Sequence, residues 1–238
     1  MEIPGFWARA QDDVQPLRGG RLALVAWGWS TASLADAQAA AAERLRRLLA
    51  RVRQGEALPK GYAYGSRPIR EEIIQELAAG DGDPAAVLTR NRYGSLVLNT
   101  ARPLFLDVDL PPARPASWLS RLSGQRSAAS EDAVLDTLRT ALRSFAPTTF
   151  RIYRTAAGFR AMAIDQEFRP EAPETDRLLR LSGADPAFVQ LCRAQKCFRA
   201  RLTSKPWRCR YRLPPGQFPR ESPSERQRFE QWLSGYAV

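Results

Sequence analysis

The run Leu104-Phe105-Leu106-Asp107-Val108-Asp109 ends an apolar segment in two carboxylates spaced two residues apart. In an extended strand, residues i and i+2 face the same side, so Asp107 and Asp109 stand together while Leu106 and Val108 turn away. Two carboxylates held close repel each other, the more so in low dielectric. A divalent cation relieves that repulsion. Mg2+ or Mn2+ bridged by one or two carboxylates and a substrate phosphate is the usual arrangement. The plainer reading is a strand end that reaches solvent, with one aspartate capping the turn before Pro111.

A second string, Phe150-Arg151-Ile152-Tyr153-Arg154 followed by Thr155–Gly158 and Phe159-Arg160, reads as a hairpin. Alternation puts Arg151 and Tyr153 on one face and Ile152 and Arg154 on the other. Beside the acidic strand, Arg154 or Arg160 would meet the phosphates that a metal holds. The alternative is a solvated edge hairpin.

The third feature is compositional. From Arg193 to Arg212 there are eight basic residues and no acidic one, with Phe198, Trp207 and Tyr211 between them. Cations for phosphates and rings for stacking bases are what a nucleic-acid groove needs. Arg199, Arg201, Lys205, Trp207 and Arg208 are the candidate contacts. The bland alternative pairs these arginines with acids elsewhere, such as the Glu71–Glu76 segment. Two more strings, Trp27-Gly28-Trp29-Ser30 and the stretch from Tyr62 to Arg67, either line a pocket or pack a core; packing is the simpler account.

Composition bounds what these residues can do. The chain has no histidine, so Ser-His-Asp and Cys-His catalysis and histidine-zinc sites are excluded. Any general acid or base must be carboxylate, tyrosine, lysine or cysteine. Three cysteines, Cys192, Cys197 and Cys209, lack both a CxxC pair and an evident fourth ligand, and read as small apolar thiols. The net charge is +11, carried by 33 Arg and 3 Lys. A GC-rich genome explains arginine in place of lysine but not the surplus over acids, and arginine forks suit phosphates. The acidic N-terminus and the shortness of the longest apolar run, Leu22–Trp29, predict neither a signal peptide nor a membrane span, hence a cytoplasmic protein.

The elements that must position these residues follow from periodicity and caps. Leu22–Trp27 reads as a buried strand leading into a helix from Ser33 to Arg53, stopped at Gly55. Pro68 opens a second predicted helix to Ala79. Ala86–Arg90, Ser95–Thr100 and Pro103–Asp109 read as strands, the last two as a hairpin. A helix over Glu131–Phe145, the hairpin of Phe150–Arg154 and Phe159–Ile164, helices from Pro173 and Pro186, closing strands Phe198–Leu202 and Arg208–Arg212, and a terminal helix from Pro223 complete the reading. The class is α+β: an N-terminal βα module over residues 1–84, then an antiparallel RRM-like or ferredoxin-like sheet backed by helices over 85–238, as two domains or as one continuous one.

The order of acidic strand pair, helix and basic hairpin resembles the archaeo-eukaryotic primase and primase-polymerase superfamily over residues 90–170. Leu104–Asp109 matches that family's hhhDhD strand, and Tyr153–Met162 matches its second motif in position, with Arg160 where the family has histidine. The resemblance implies a metal-dependent nucleotidyltransferase: Asp107 and Asp109 as metal ligands, Asp165 as the nearest third acid, and Arg154 and Arg160 on triphosphate. Separately, the string Cys197–Arg208 is similar to one in bacterial proteins and carries no activity with it. Two other readings stand beside the enzyme: a non-catalytic RNA- or DNA-binding module, in which both aspartates are structural, and a regulatory protein-interaction domain.

Overall fold

The computed structural model describes residues 1–16, 20–58, 68–78, 84–111 and 129–236. The stretch Tyr62–Arg67, most of the turn Asp81–Pro84 and most of the loop Ser123–Ala129 lie outside them. Among the described residues nine strands form three antiparallel sheets, with five α-helices beside them, so the class is α+β.

The N-terminal sheet is a hairpin of β1 (Phe6–Val14) and β2 (Leu22–Ser30), paired antiparallel along its whole length from Phe6 opposite Ser30 to Val14 opposite Leu22. β1 has no clean alternation in sequence and escapes a reading by pattern; its partner strand supplies the order. Helix α1 (Leu34–Arg53) follows, its N-cap Ser33 accepting from the Asp36 N–H. Its buried side, Ala37, Ala41, Leu45, Leu49 and Val52, recurs at helical spacing. Gly28 explains the Trp-Gly-Trp string. A Cβ there would overlap the Ala37 carbonyl oxygen and the Ala41 nitrogen, so the glycine lets the helix lie directly on the strand. The flanking rings are covered by cations, Arg70 over Trp27 at 3.8 Å and Arg44 over Trp29 at 3.4 Å.

The second sheet has the order β3-β4-β5-β9, from β3 (Glu72–Ala78), β4 (Pro84–Arg90), β5 (Leu96–Thr100) and β9 (Phe198–Arg201). The helix expected over Pro68–Ala79 is therefore corrected to a strand. Its glutamates, leucine and alanine favour helix locally, but pairing with β4 and the hydrogen bond of Thr89 to buried Glu71 at 2.6 Å override that preference. The hairpin expected from Ser95–Thr100 and Pro103–Asp109 is corrected too, since the two strands belong to different sheets.

The third sheet has the order β6-β8-β7, from β6 (Phe105–Asp109), β7 (Phe150–Arg154) and β8 (Gly158–Ala163). Helix α2 (Ala129–Arg143) links its two edge strands and β8 fills the space between them, the split β-α-β arrangement. Helices α3 (Pro173–Leu181) and α4 (Pro186–Gln195) come next. A full ferredoxin-like sheet would then add β9 next to β6, but β9 pairs with β5 instead. The core joins Leu104, Leu106, Val108, Phe159 and Ala161 of the sheet segment to Leu138, Leu178, Leu179, Val189 and Phe198.

The expected closing strand Arg208–Arg212 is a 3-10 turn, Pro206–Cys209, since Pro206 cannot donate to a ladder and Arg210 takes a left-handed backbone, φ 56°. Helix α5 (Pro223–Gly235) ends the described chain, entered through a capping box of Ser222 and Glu225. The chain divides into two compact units, one of Met1, Leu77–Val87 and Leu98–Ala200, the other of Glu2–Glu76, Leu88–Val97 and Arg201–Val238. Among the described residues no helix is long and apolar enough to cross a membrane.

Candidate functional site

Strand β6 alternates as its sequence requires. Leu106 and Val108 are buried, Asp107 is half-buried and Asp109 is exposed, so both carboxylates stand on the face away from the buried Leu106 and Val108. The register then decides their partners. Asp107 lies opposite Arg160 of β8, which lies opposite Tyr153 of β7. Arg160 donates from Nε to Asp107 Oδ1 at 2.6 Å and from a terminal nitrogen to Oδ2 at 2.8 Å. This two-pronged fork is the strong form of an arginine–carboxylate pair. It is partly withdrawn from water, with 17 % of the Arg160 side chain and 34 % of Asp107 exposed.

Asp109 lies opposite Gly158, which brings no side chain to it. A Cβ at Gly158 would overlap the Val108 carbonyl oxygen, so this glycine serves close approach of two strands. Among the described residues Asp109 makes no ion pair.

The other residues assigned to this site lie elsewhere. Arg154 is on the opposite face of β7 and forks onto Glu131 of α2, at 2.6 and 3.2 Å. It cannot join Arg160 on one phosphate. Asp165 is five residues past Arg160, in the bend beyond the end of β8 at Ala163. There its two oxygens accept from the Thr149 N–H at 2.9 and 3.0 Å, and hydrogen bonding to the Thr149 side chain, then to its backbone, holds the Asp165 carboxyl below its ordinary value. Among the described residues no group of three or more acidic or thiol side chains is placed to share a cation. With Asp107 already engaged by Arg160 and Asp165 remote, these residues do not fit the Mg2+ or Mn2+ that the family resemblance implies.

The basic C-terminal run separates into buried and exposed members. Arg199 is 8 % exposed and donates to Asn99 Oδ1 at 2.7 Å and Gln195 Oε1 at 3.0 Å. It ties β9 to β5 and α4, which removes it from the candidate nucleic-acid contacts. Phe198 is fully buried, and Tyr211 packs on Trp232 and Tyr236. Arg201 is half-buried at the end of β9. Cys192 and Cys197 are buried, with burial pushing the Cys192 thiol pKa up, while Cys209 is exposed.

Lys205, Trp207 and Arg208 lie at the surface, together with a partner that sequence alone missed. Tyr93, from the turn between β4 and β5, meets Trp207 edge to face, with ring centroids 5.1 Å apart at 87°. The Lys205 ammonium is 5.1 Å from the Trp207 ring centre and 5.8 Å from that of Tyr93. The Arg92 guanidinium lies 4.7 Å over Tyr93 and also bonds its hydroxyl. Trp207 remains 48 % exposed. The Asn91-Arg92-Tyr93-Gly94 string signals a turn, but no local pattern tells that it meets a segment more than a hundred residues later.

Both halves of this corner are held firmly. Asn91 Oδ1 accepts from the N–H groups of Tyr93 and Ser95, at 2.9 and 3.1 Å. The Arg90 guanidinium donates to the Gly94 carbonyl at 3.0 Å. On the other side, Leu202 N–H donates to Leu96 O at 2.8 Å, Leu96 N–H to Thr203 Oγ1 at 2.9 Å, and the Ser95 hydroxyl to Ser204 O at 3.0 Å. The loop bearing Lys205 is thereby fastened to the start of β5. Beyond it, Arg208, Arg210 and Arg212 are exposed and make no ion pair with a described residue.

Compared with family models, with curated proteins and with solved structures, the chain gives no match.

Proposed function

We propose that the protein binds nucleic acid through the corner built by Tyr93, Lys205 and Trp207, with Arg92 and Arg208 flanking it. The observation that carries this reading is an exposed indole beside an ammonium, on a surface where Arg208, Arg210 and Arg212 have no described carboxylate to neutralise them. Cations already paired with acids gain little from a phosphate. Unpaired ones release counterions from the nucleic acid and bind it with a strong dependence on salt. Aromatic faces add a contact that salt does not screen.

Metal-assisted nucleotidyl transfer at Asp107 and Asp109 is not the reading we favour. It has their shared strand face on its side, and against it the Arg160 fork and the position of Asp165. Primer extension with Mn2+ and mixed nucleotides, wild type against Asp107→Ala, addresses it directly; metal-dependent synthesis lost in the variant would reinstate it.

Fluorescence anisotropy with labelled oligonucleotides across a salt series tests the binding reading. Three or four neutralised phosphates give a log–log slope of roughly −2 to −3 on a single strand. Absence of binding at low salt would leave the regulatory protein-interaction reading instead.

A further inference from the structure

From the arrangement of the corner we infer that the nucleic acid it takes is single-stranded, and that one unpaired base stacks on the Trp207 indole while Lys205 meets an adjacent phosphate. This rests on the corner being a nucleic-acid contact, and goes beyond it by naming the form of the ligand and the role of each ring.

The two rings are not equivalent. Tyr93 has Arg92 over its ring, Lys205 near its centre and Trp207 against it at a right angle. Its aromatic surface is largely taken. Among the described residues Trp207 meets the Tyr93 ring and the Lys205 ammonium, and nearly half of its surface is open. A perpendicular pair also cannot stack one base on both rings at once. Tyr93 therefore acts as the buttress and Trp207 as the platform.

The buttress is preorganised. The turn that carries Tyr93 is closed by Asn91 and seated on Trp232 through Gly94, so the indole gains a fixed neighbour without ordering a loop on binding. The Lys205 ammonium lies beside the platform rather than remote from it. A base lying on the indole would bring its own backbone within reach of that cation.

A duplex cannot use such a platform without opening, because its base faces are stacked on one another and only base edges and phosphates are exposed. Cations alone would treat the two forms alike apart from charge density. The indole is what makes them differ.

The experiment compares three labelled probes of equal length: a single strand, its duplex, and a single strand with abasic sites in place of a run of bases. Trp207→Ala should lower affinity for the single strand by roughly 5- to 150-fold and leave the duplex affinity and the salt slope unchanged. Trp207→Phe should retain most of the affinity. The abasic strand should bind the wild type as weakly as the intact strand binds Trp207→Ala, with little further loss when the two changes are combined. Lys205→Ala should weaken both forms and flatten the salt dependence. Equal binding of single strand and duplex, or single-strand affinity unchanged in Trp207→Ala, would overturn base stacking while leaving nucleic-acid binding in place. Failure of every probe to bind at low salt would overturn the binding reading itself.

Discussion

Arg160 holds both oxygens of Asp107, at 2.6 and 2.8 Å, from the directly opposed position on the neighbouring strand. The carboxylate that most resembles a metal ligand is thus the acceptor of an arginine fork. Asp107→Asn removes the charge and one good acceptor while keeping the shape. Denaturant unfolding should show a loss of about 1–2 kcal/mol, since the pair is only partly withdrawn from water and Arg160 loses its charged acceptor. A gain in stability would mean that repulsion from Asp109 outweighs the fork, and would restore a cation-binding role to the pair.

Arg199 separates a structural arginine from a ligand-binding one. Truncation to Ala removes a buried donor from Asn99 and Gln195, where the Gln195 amide nitrogen already has no hydrogen-bond partner. Leaving a buried neutral acceptor without its donor costs about 1–3 kcal/mol for each. Stability should fall by that order, measured by urea unfolding. Nucleic-acid affinity of the folded fraction should hardly change. Arg208→Ala should do the reverse, with unchanged stability and weaker binding.

Gly94 supports the corner from beneath. Its φ is +81°, a left-handed value costly for other residues, and a Cβ there would overlap the Trp232 ring. Gly94→Ala adds backbone strain to overpacking and should destabilise by about 2–4 kcal/mol. Because the same turn carries Tyr93, single-strand affinity should fall at temperatures where the variant is still folded. Circular dichroism melts and anisotropy on the same samples check both.

Acid sensitivity has a local source in α3. The Arg180 side chain, followed by its charge and that of Arg193, holds Asp176 below its ordinary value of 3.8. A carboxyl with a depressed folded-state pKa binds fewer protons folded than unfolded over that interval. Its stabilisation is present above the unfolded value and is lost as pH falls from about 4 through the folded pKa. Asp176→Asn should therefore flatten the acid limb of the stability curve below about pH 4. Asp176 interacts at the surface, so the effect should be small and should shrink in high salt. An unchanged acid limb would place the sensitivity elsewhere.

Much of the architecture was legible because local rules agreed with the fold. Helix α1 has its alanine and leucine stripe and its terminal arginines, though its cap is Ser33 and not Ser30 or Thr31. The hairpin of β7 and β8 has its glycine turn, and β6 alternates as written. Pro68–Ala79 failed as a helix because a helix-forming composition was recruited by a sheet, and the choice was made by strand pairing and by Glu71 finding Thr89. The arginine of the string Phe198-Arg199-Ala200-Arg201 reads as a surface cation until Asn99, a hundred positions earlier, is placed beside it.

The amino-acid sequence by itself determined that Asp107 and Asp109 share a face, that a cationic run with interleaved rings spans Arg193–Arg212, and that histidine chemistry is absent. These follow from strand period and composition, which are local properties. Only the tertiary structure decided that Asp107 answers to Arg160, that Arg154 and Asp165 are turned to other tasks, that Arg199 is buried, and that Trp207 finds Tyr93. Each depends on register or on a meeting between distant segments. A one-residue slip of β8 against β6 would send Arg160 to the opposite face of the sheet, and no local pattern carries that information.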